Sequence, residues 1–357
     1  VSKPSYRVPL MAEIAAVAHN GYKMVSTFSG CGGSCLGFKM AGFEVLWASE
    51  FVEAAQEVYR LNHPETVLDT RDIREVTAEE IMSAIKLPKG ELDVFEGSPP
   101  CAAFSSAGIR SEGWGEVKQY SSKKQRVDDL FFEYARLLEG LMPRVFVAEN
   151  VKGLVRGVAR GYFKEIVNKL STVGYNVEVK LLDARWLGVP QQRERLIFMG
   201  VRKDLKKRPV FPAPLPYQYS MGEALEGLDH TEEEVQDAWH LDPQGVMSQI
   251  WRRTKPGEYL SEGSKRLRGK DAFFSHRKLS PSTPASTITQ TAPNVYHWEH
   301  PRSLTAKELR RASGFPDDFK LTGTFGEKWE RIGRAVPPVM MAAVARAVKG
   351  ILDEVKG

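Results

Sequence analysis

Cysteine is scarce, with three residues in a chain of 357. Three cannot build a disulfide framework, and so few suit a reducing compartment. No stretch approaches the ~18 consecutive apolar residues of a membrane span, so no membrane partner is expected. Residues 1–7 carry no apolar signal region and predict no export address. Internal repeats and low-complexity tracts are also missing. What is present is an ordinary globular composition, 42% hydrophobic, which is enough for a packed core. At ~100–200 residues per domain, the length predicts one large domain or two smaller ones.

The formal net charge is only +5, too small as a bulk figure to identify a partner. It hides an uneven distribution. Residues 223–237 hold seven acids and no Lys or Arg. Residues 250–280 hold nine bases against three acids. Arg252, Arg253, Lys255, Lys265, Arg266 and Arg268 belong to that stretch, with Trp251, Tyr259, Phe273 and Phe274 interleaved. The pattern suits phosphate contact with aromatic packing, and it equally suits a solvated loop.

Up to about residue 206, strand-like runs alternate with helical patterns. Strands are expected at 24–28, 43–48, 92–95, 145–148, 177–182 and 196–201, and helices at 128–141 and 162–173. This rhythm predicts an α/β fold with a mostly parallel sheet and covered faces. Ligands of such sheets sit beyond the carboxyl ends of the strands, where the special residues of this chain cluster. Four prolines within 208–217 mark a boundary, and the rhythm is lost beyond it. Three parts are therefore expected: a catalytic, cofactor-binding domain over 1–205, a smaller irregular domain over 206–300, and a return segment over 301–357. The last helix, at 338–355, is expected to pack back onto the sheet.

The first strand runs into Phe28-Ser29-Gly30-Cys31-Gly32-Gly33 and then a helix. Glycines let backbone approach a ligand, and a helix N-terminus offers unpaired N–H groups. Glu50 ends the next strand, where an acid can bind a ribose diol. Asp72 follows another loop and could bind an adenine amino group. The turn lacks the full dinucleotide fingerprint and no Walker Lys-Ser/Thr follows it. Together these residues predict an adenosine-type ligand. Cys101 follows Pro99-Pro100 at a strand end, ahead of a polar, glycine-containing stretch that could close over it. Cys31 and Cys35 fit a structural role better, and no second Cys/His pair completes a metal site. Glu149 and Asn150 cap another apolar strand. Arg193 and Arg195 alternate onto one face if extended. A carboxylate cap or an arginine pair is commonly structural. The conjunction of thiol, carboxylate and two guanidiniums at strand ends of one sheet points instead to chemistry.

These residues resemble the DNA cytosine-C5 methyltransferase family, of bacterial or phage type, in order along most of the chain. Phe28 to Gly33 resembles its cofactor turn. Glu50 and Phe51 match the ribose-binding acid and the residue stacking on adenine, and Asp72-Ile73 match the adenine-binding pair. Pro99-Pro100-Cys101, Glu149-Asn150-Val151 and Gln191-x-Arg193-x-Arg195 match its nucleophile, Glu-Asn-Val and Gln-x-Arg-x-Arg motifs. Arg302 to Pro316 and Gly333-Arg334-Ala335-Val336-Pro337-Pro338 match its last two blocks. The resemblance implies a Rossmann-like class I methyltransferase, with residues 206–300 as a target-recognition domain. It implies S-adenosyl-L-methionine as cofactor, no metal, and double-stranded DNA as substrate of a monomer acting in the cytoplasm. It places Phe28, Ser29, Gly30, Gly32, Gly33, Glu50, Phe51, Asp72, Ile73, Pro100, Leu130, Arg334, Ala335 and Val336 around the cofactor.

The implied chemistry suits the residues. A Cys101 thiolate adding to C6 makes cytosine C5 nucleophilic. Glu149 would hold N3 by proton donation or a strong hydrogen bond, which requires a desolvated carboxyl. Arg193 and Arg195 would support O2 and the carboxyl geometry. The cytosine must be flipped out of the duplex. A transfer-RNA methyltransferase sharing this design is the first rival reading, and a catalytically dead DNA-binding relative the second.

One residue departs from the pattern: Arg334 stands where the family usually has Asn. A guanidinium within ~4 Å of a sulfonium would cost about 4 kcal/mol at an effective dielectric of about 20. Three readings stand. Arg334 points away to an acid or a phosphate; it impairs activity; or it pairs with a negative group that the usual cofactor lacks. The last would make carboxy-S-adenosyl-L-methionine the cofactor and 5-carboxymethylcytosine the product.

Overall fold

The computed structural model describes residues 3–100, 117–120, 123–126, 130–155, 159–291 and 293–356. Cys101, the expected nucleophile, and most of the stretch expected to close over it lie outside the described residues. The chain divides into two compact units. One comprises Ile14–Leu182, Glu194–Ala213 and Met341–Gly357, and the other Val1–Glu13, Asp183–Arg193 and Pro214–Met340.

The first unit is built on seven strands: β1 (Lys23–Thr27), β2 (Glu44–Ser49), β3 (Val67–Asp69), β4 (Val94–Gly97), β5 (Val145–Val151), β6 (Tyr175–Asp183) and β7 (Glu194–Arg202). Their order in the sheet is β3-β2-β1-β4-β5-β7-β6. β1 to β5 pair in parallel, and β7 runs antiparallel to β5. The expected α/β architecture with a mostly parallel sheet is thus the observed one. β3 was not legible in the sequence. It has three residues, and Val67 is 53% exposed, so it lacks the apolar run that marks a central strand.

Strand alternation gives the sheet two different faces. Val25 of β1, Phe95 of β4 and Phe146 of β5 lie level with one another, Ala148 lies level with Phe198 of β7, and all five belong to one large core. The helices Ala78–Ile85, Leu130–Leu141 and Ala159–Thr172 contribute Ile81, Leu137 and Ile166 to that core. The opposite face carries Ser26, Glu96, Glu149 and Arg195 towards the carboxyl ends of the parallel strands. Buried polar groups there require partners, and the site grows from this row.

The second unit is poor in strand, with one pair, Arg277–Lys278 and Val295–Tyr296, among its described residues. A small core of Ile250, Trp251, Leu260 and Tyr296 holds the helices Val246–Arg253 and Leu260–Arg268. A Cβ at Gly263 would sit 2.4 Å from the Ile250 carbonyl oxygen, so only glycine permits this helix contact. The units do not divide where the sequence suggested. The second one continues past residue 300 to Met340 and takes in Val1–Glu13 and Asp183–Arg193. Long-range hydrogen bonds explain part of this, since Tyr6 donates to the Arg311 carbonyl and Met11 N–H to Asp318. The helical stretch Phe325–Lys356, which ends in the helix Pro338–Lys356, is long and apolar enough to cross a bilayer by length and composition. Its apolar residues are occupied within the fold, with Met341, Val344, Ala345 and Val348 all buried.

Candidate active site

The turn after β1 has the backbone geometry that its glycines suggest. Phe28, Gly30 and Gly32 all have positive φ, at 54°, 57° and 90°. Gly32 is the N-cap of the helix Gly33–Met40 and supplies no side-chain acceptor to the first N–H groups of that helix. A Cβ on Gly30 would meet nothing within 4 Å, so this backbone borders open space. Glu50 stands at the end of β2 and closes the turn. One carboxylate oxygen accepts the Gly30 N–H and the other the Val52 N–H, each at 2.7 Å. A carboxylate has about four acceptor positions, which suits an acid that also takes ribose hydroxyls. This turn and acid fit an adenosine-type ligand, the nucleoside part of S-adenosylmethionine.

Other residues expected around the cofactor are placed as follows. Phe51 is partly buried just beyond β2. Asp72 caps the short helical turn Ile73–Glu75 and pairs with Arg74 at 3.1 Å, while Ile73 is buried. Leu130 opens the helix Leu130–Leu141 and is fully buried in the large core. Ser29 is bonded to Ser26, whose hydroxyl donates to Glu96 at 2.7 Å. Of the structural cysteines, Cys35 is buried and accepts the Tyr59 hydroxyl at 3.3 Å.

Glu149 lies near the end of β5, 8% exposed. Arg195 on β7 reaches it with Nε 2.7 Å from Oε1. Burial pulls the Arg195 guanidinium below its ordinary range, against the pull of Glu149. The neighbouring Asn150 donates from Nδ2 to the Pro99 carbonyl at 3.1 Å. One strand therefore presents the buried carboxylate and anchors the backbone two residues before Cys101. Asn150 makes a side-chain to backbone contact from β5 to the segment after β4, which sequence spacing does not reveal.

Arg193 and Arg195, paired in the sequence, part company in the fold. Arg193 belongs to the second unit, where it is 2% exposed and donates to the carbonyls of Ile288 and Gly333 at 2.9 and 2.7 Å. Arg193 thus braces the block containing Arg334. Gly333 is required there, because a Cβ would lie 2.6 Å from the Thr289 carbonyl oxygen. Arg334 ends the helix Phe325–Arg334 and pairs with Glu330 one turn back at 2.7 Å. Ala335 caps that helix, and Val336 is buried.

The basic stretch is only partly available to a polyanion. Arg266 is held by both oxygens of Glu258 at 2.6 and 2.8 Å, and that carboxyl is lowered to about 2 by Arg266. Lys265 pairs with Asp271 at 3.0 Å. Lys278 is buried, its Nζ 3.6 Å from the Trp251 ring centre. Arg252, Arg253, Lys255 and Arg268 are exposed. The acidic stretch is tied down in turn, with Glu234 bound to Lys307 and Asp237 to Lys328. His297, Glu299 and His300 come within metal-ligating reach of one another. Nδ1 of His297 already accepts the Glu299 N–H at 3.0 Å, which weakens the case for an ion there.

The chain is similar to known proteins over nearly its whole length. It is 31% identical to the type II methyltransferase M.FnuDI of Fusobacterium nucleatum, over 93% of this chain and 95% of that protein. It is 29% identical to the type II methyltransferase M.NgoPII of Neisseria gonorrhoeae, over 96% and 100%. Its fold matches a putative DNA modification methyltransferase encoded within an Escherichia coli prophage, with a TM-score of 0.71 and 23% identity over 93% of this chain and all of that one. It also matches a DNMT2 variant of Spodoptera frugiperda, with a TM-score of 0.66 and 17% identity over 92% and 99%. At those identities the two structures speak for the fold alone. The sequence model of the C-5 cytosine-specific DNA methylases matches residues 22–350, and the chain belongs to that family.

Proposed function

We propose that this enzyme transfers a methyl group from S-adenosylmethionine to C5 of a cytosine flipped out of duplex DNA, through a covalent adduct with Cys101. The observation that carries the reading is the buried Glu149–Arg195 pair beside the Asn150–Pro99 bond. When bound, S-adenosylmethionine supplies an electrophilic methyl carbon. Glu50, Ser29 and the N–H groups ahead of the helix Gly33–Met40 would hold it. Phe51, Asp72, Ile73 and Pro100 would complete its pocket, with Leu130 supporting them from the core. Cys101 adds its thiolate to C6, and Glu149 meets N3, stabilising the charge that the addition creates. Arg195 orients Glu149 through its guanidinium fork. Arg193 acts indirectly, by bracing the Gly333–Val336 block. Arg252, Arg253, Lys255 and Arg268 would contact phosphates. Lys265 and Arg266 would do so only after releasing their acids.

The pairing of Arg334 with Glu330 supports ordinary S-adenosylmethionine as donor, because the guanidinium has a carboxylate within its own helix. Carboxymethyl transfer, with Arg334 turned to the carboxylate of carboxy-S-adenosylmethionine, is the second reading. Its support is the Arg in place of the family's Asn.

One experiment tests both. The enzyme is incubated with each cofactor and either duplex DNA or transfer RNA, and the nucleosides are identified by mass spectrometry. 5-Methylcytosine in DNA, lost in Cys101→Ser, is expected. 5-Carboxymethylcytosine, made in preference by the wild type and lost in Arg334→Asn, would favour the second donor. Modification of transfer RNA alone would overturn the choice of substrate.

A further inference from the structure

Glu96 has no part in the chemistry above, yet it is the most unusual buried acid in the first unit. It interrupts the apolar run of β4, is 1% exposed, and stands five residues before Cys101. Its Oε2 accepts the Ser26 hydroxyl at 2.7 Å, and Oε1 is buried with no hydrogen-bond partner among the described residues. Glu96 is level with Val147 on β5. Glu149, two residues further on, therefore points to the same side of the sheet. Arg195 on β7 lies on that side too, bound to Glu149.

Among the described residues, the charges on this side of the sheet do not balance. Glu96 and Glu149 are two buried acids, and Arg195 is the described cation that faces them. The other described groups packed around Glu96 offer no second cation. From the helix Gly33–Met40 come Ser34 and the Cys35 thiol, which burial keeps neutral. From the helix Leu130–Leu141 comes the Tyr134 phenol, also kept neutral by burial. Lys39 is turned to His63 and Glu65, and Lys152 to Glu194. Two carboxylates on one face of neighbouring strands, in a desolvated site with one compensating charge among the described residues, favour keeping a proton between them. Burial, reinforced by Glu149 and opposed by the hydroxyls of Ser26, Ser34 and Ser98, raises the Glu96 carboxyl to about 7.

We infer that Glu96 is a positioning residue for the proton at Glu149. Its role is to keep one proton on the carboxyl pair, so that Glu149 can meet cytosine N3 as an acid although Arg195 favours its carboxylate. This rests on the proposed role of Glu149. In the step itself, the C6–sulfur bond forms and the Glu149 proton moves to N3. Glu149 is left as the carboxylate that Arg195 stabilises.

The test is the pH profile of methyl transfer from labelled S-adenosylmethionine to unmodified duplex DNA, for the full-length wild type, Glu96→Gln and Glu149→Gln. Glu96→Gln removes the second charge and is expected to move the alkaline limb of the profile down by about one pH unit. An unmoved limb, whatever the change in rate, would overturn the inference. Full activity of Glu149→Gln would instead overturn the reading on which it rests. If Glu96→Gln does not fold, an infrared titration of the wild type decides. A protonated buried carboxyl ionising near neutral pH supports the inference, and its absence contradicts it.

Discussion

Arg195 and Glu149 meet across neighbouring antiparallel strands, Nε to Oε1 at 2.7 Å, with side chains 13% and 10% exposed. A pair this buried is held in place because each charge would be costly alone. Arg195→Ala strands the Glu149 carboxylate, and a loss of about 3–5 kcal/mol in unfolding free energy is expected. Arg195→Lys keeps the charge without the fork and should lose less stability but much of the activity. Urea titration alongside turnover measurements checks both.

Glu50 holds the glycine turn after β1 through two backbone N–H groups. Glu50→Gln puts an amide donor where one of those N–H groups needs an acceptor. Charge-assisted hydrogen bonds are worth about 1.5–3 kcal/mol, so cofactor affinity should fall by roughly 10–100-fold. Calorimetric titration with S-adenosylmethionine measures this directly, and an unchanged Kd would remove Glu50 from the cofactor site.

Gly30 and Gly32 separate stability from binding. A Cβ at Gly32 would lie 2.2 Å from His63 Nε2, in a backbone with φ of 90°. Gly32→Ala should cost about 1–3 kcal/mol of stability. Gly30 also has positive φ but faces open space. Gly30→Ala should cost about 1–2 kcal/mol, from backbone strain alone, while obstructing the ligand. Melting temperature and cofactor affinity, measured on both variants, should rank them in opposite orders.

Glu308 sets an acid limit on stability. Burial raises its carboxyl, but Arg302, bound to both oxygens at 2.7 and 2.9 Å, and His230 outweigh that and hold it far below the ordinary range. A depressed carboxyl stabilises the fold fully above its unfolded pKa, near 4.3, and loses that contribution as pH falls towards the folded value. Glu308→Gln should therefore be less stable than the wild type at neutral pH, with the gap narrowing below about pH 4. Denaturant titrations at several pH values check this.

DNA affinity should distinguish exposed bases from paired ones. Replacing Arg253 with Gln should lower the salt dependence of binding by about one ion and weaken all sequences alike. Arg266→Gln should change that slope less, because Glu258 already neutralises Arg266. Filter binding on duplex DNA across a salt series gives both slopes.

Much of the fold was legible because its signals are local. Apolar runs at 24–28 and 145–148 end in glycine, acid or asparagine, and that punctuation predicts parallel strands with a ligand end. The glycine turn, Glu50 and the Glu149 motif are likewise readable as short strings. β3 was missed for want of apolar residues. Glu96 was missed although an acid inside a central apolar strand is itself a signal. The compact units draw residues 301–340 together with 214–300, and sequence does not show which unit a helix joins.

The sequence by itself determined the order and chemical kind of the residues: a nucleotide turn, a thiol after two prolines, a carboxylate at a strand end, and a run of bases. It also determined the alternation that builds the sheet, because periodicity and turn chemistry act within a few residues. Only the tertiary structure decided how charges are shared. It gave Arg195 rather than Arg193 to Glu149, bound Arg266 to Glu258 and Arg334 to Glu330, and placed Glu96 on the same sheet face as Glu149. Ion pairing and desolvation depend on which side chains the register brings within a few ångströms, and that distance is fixed by folding rather than by spacing along the chain.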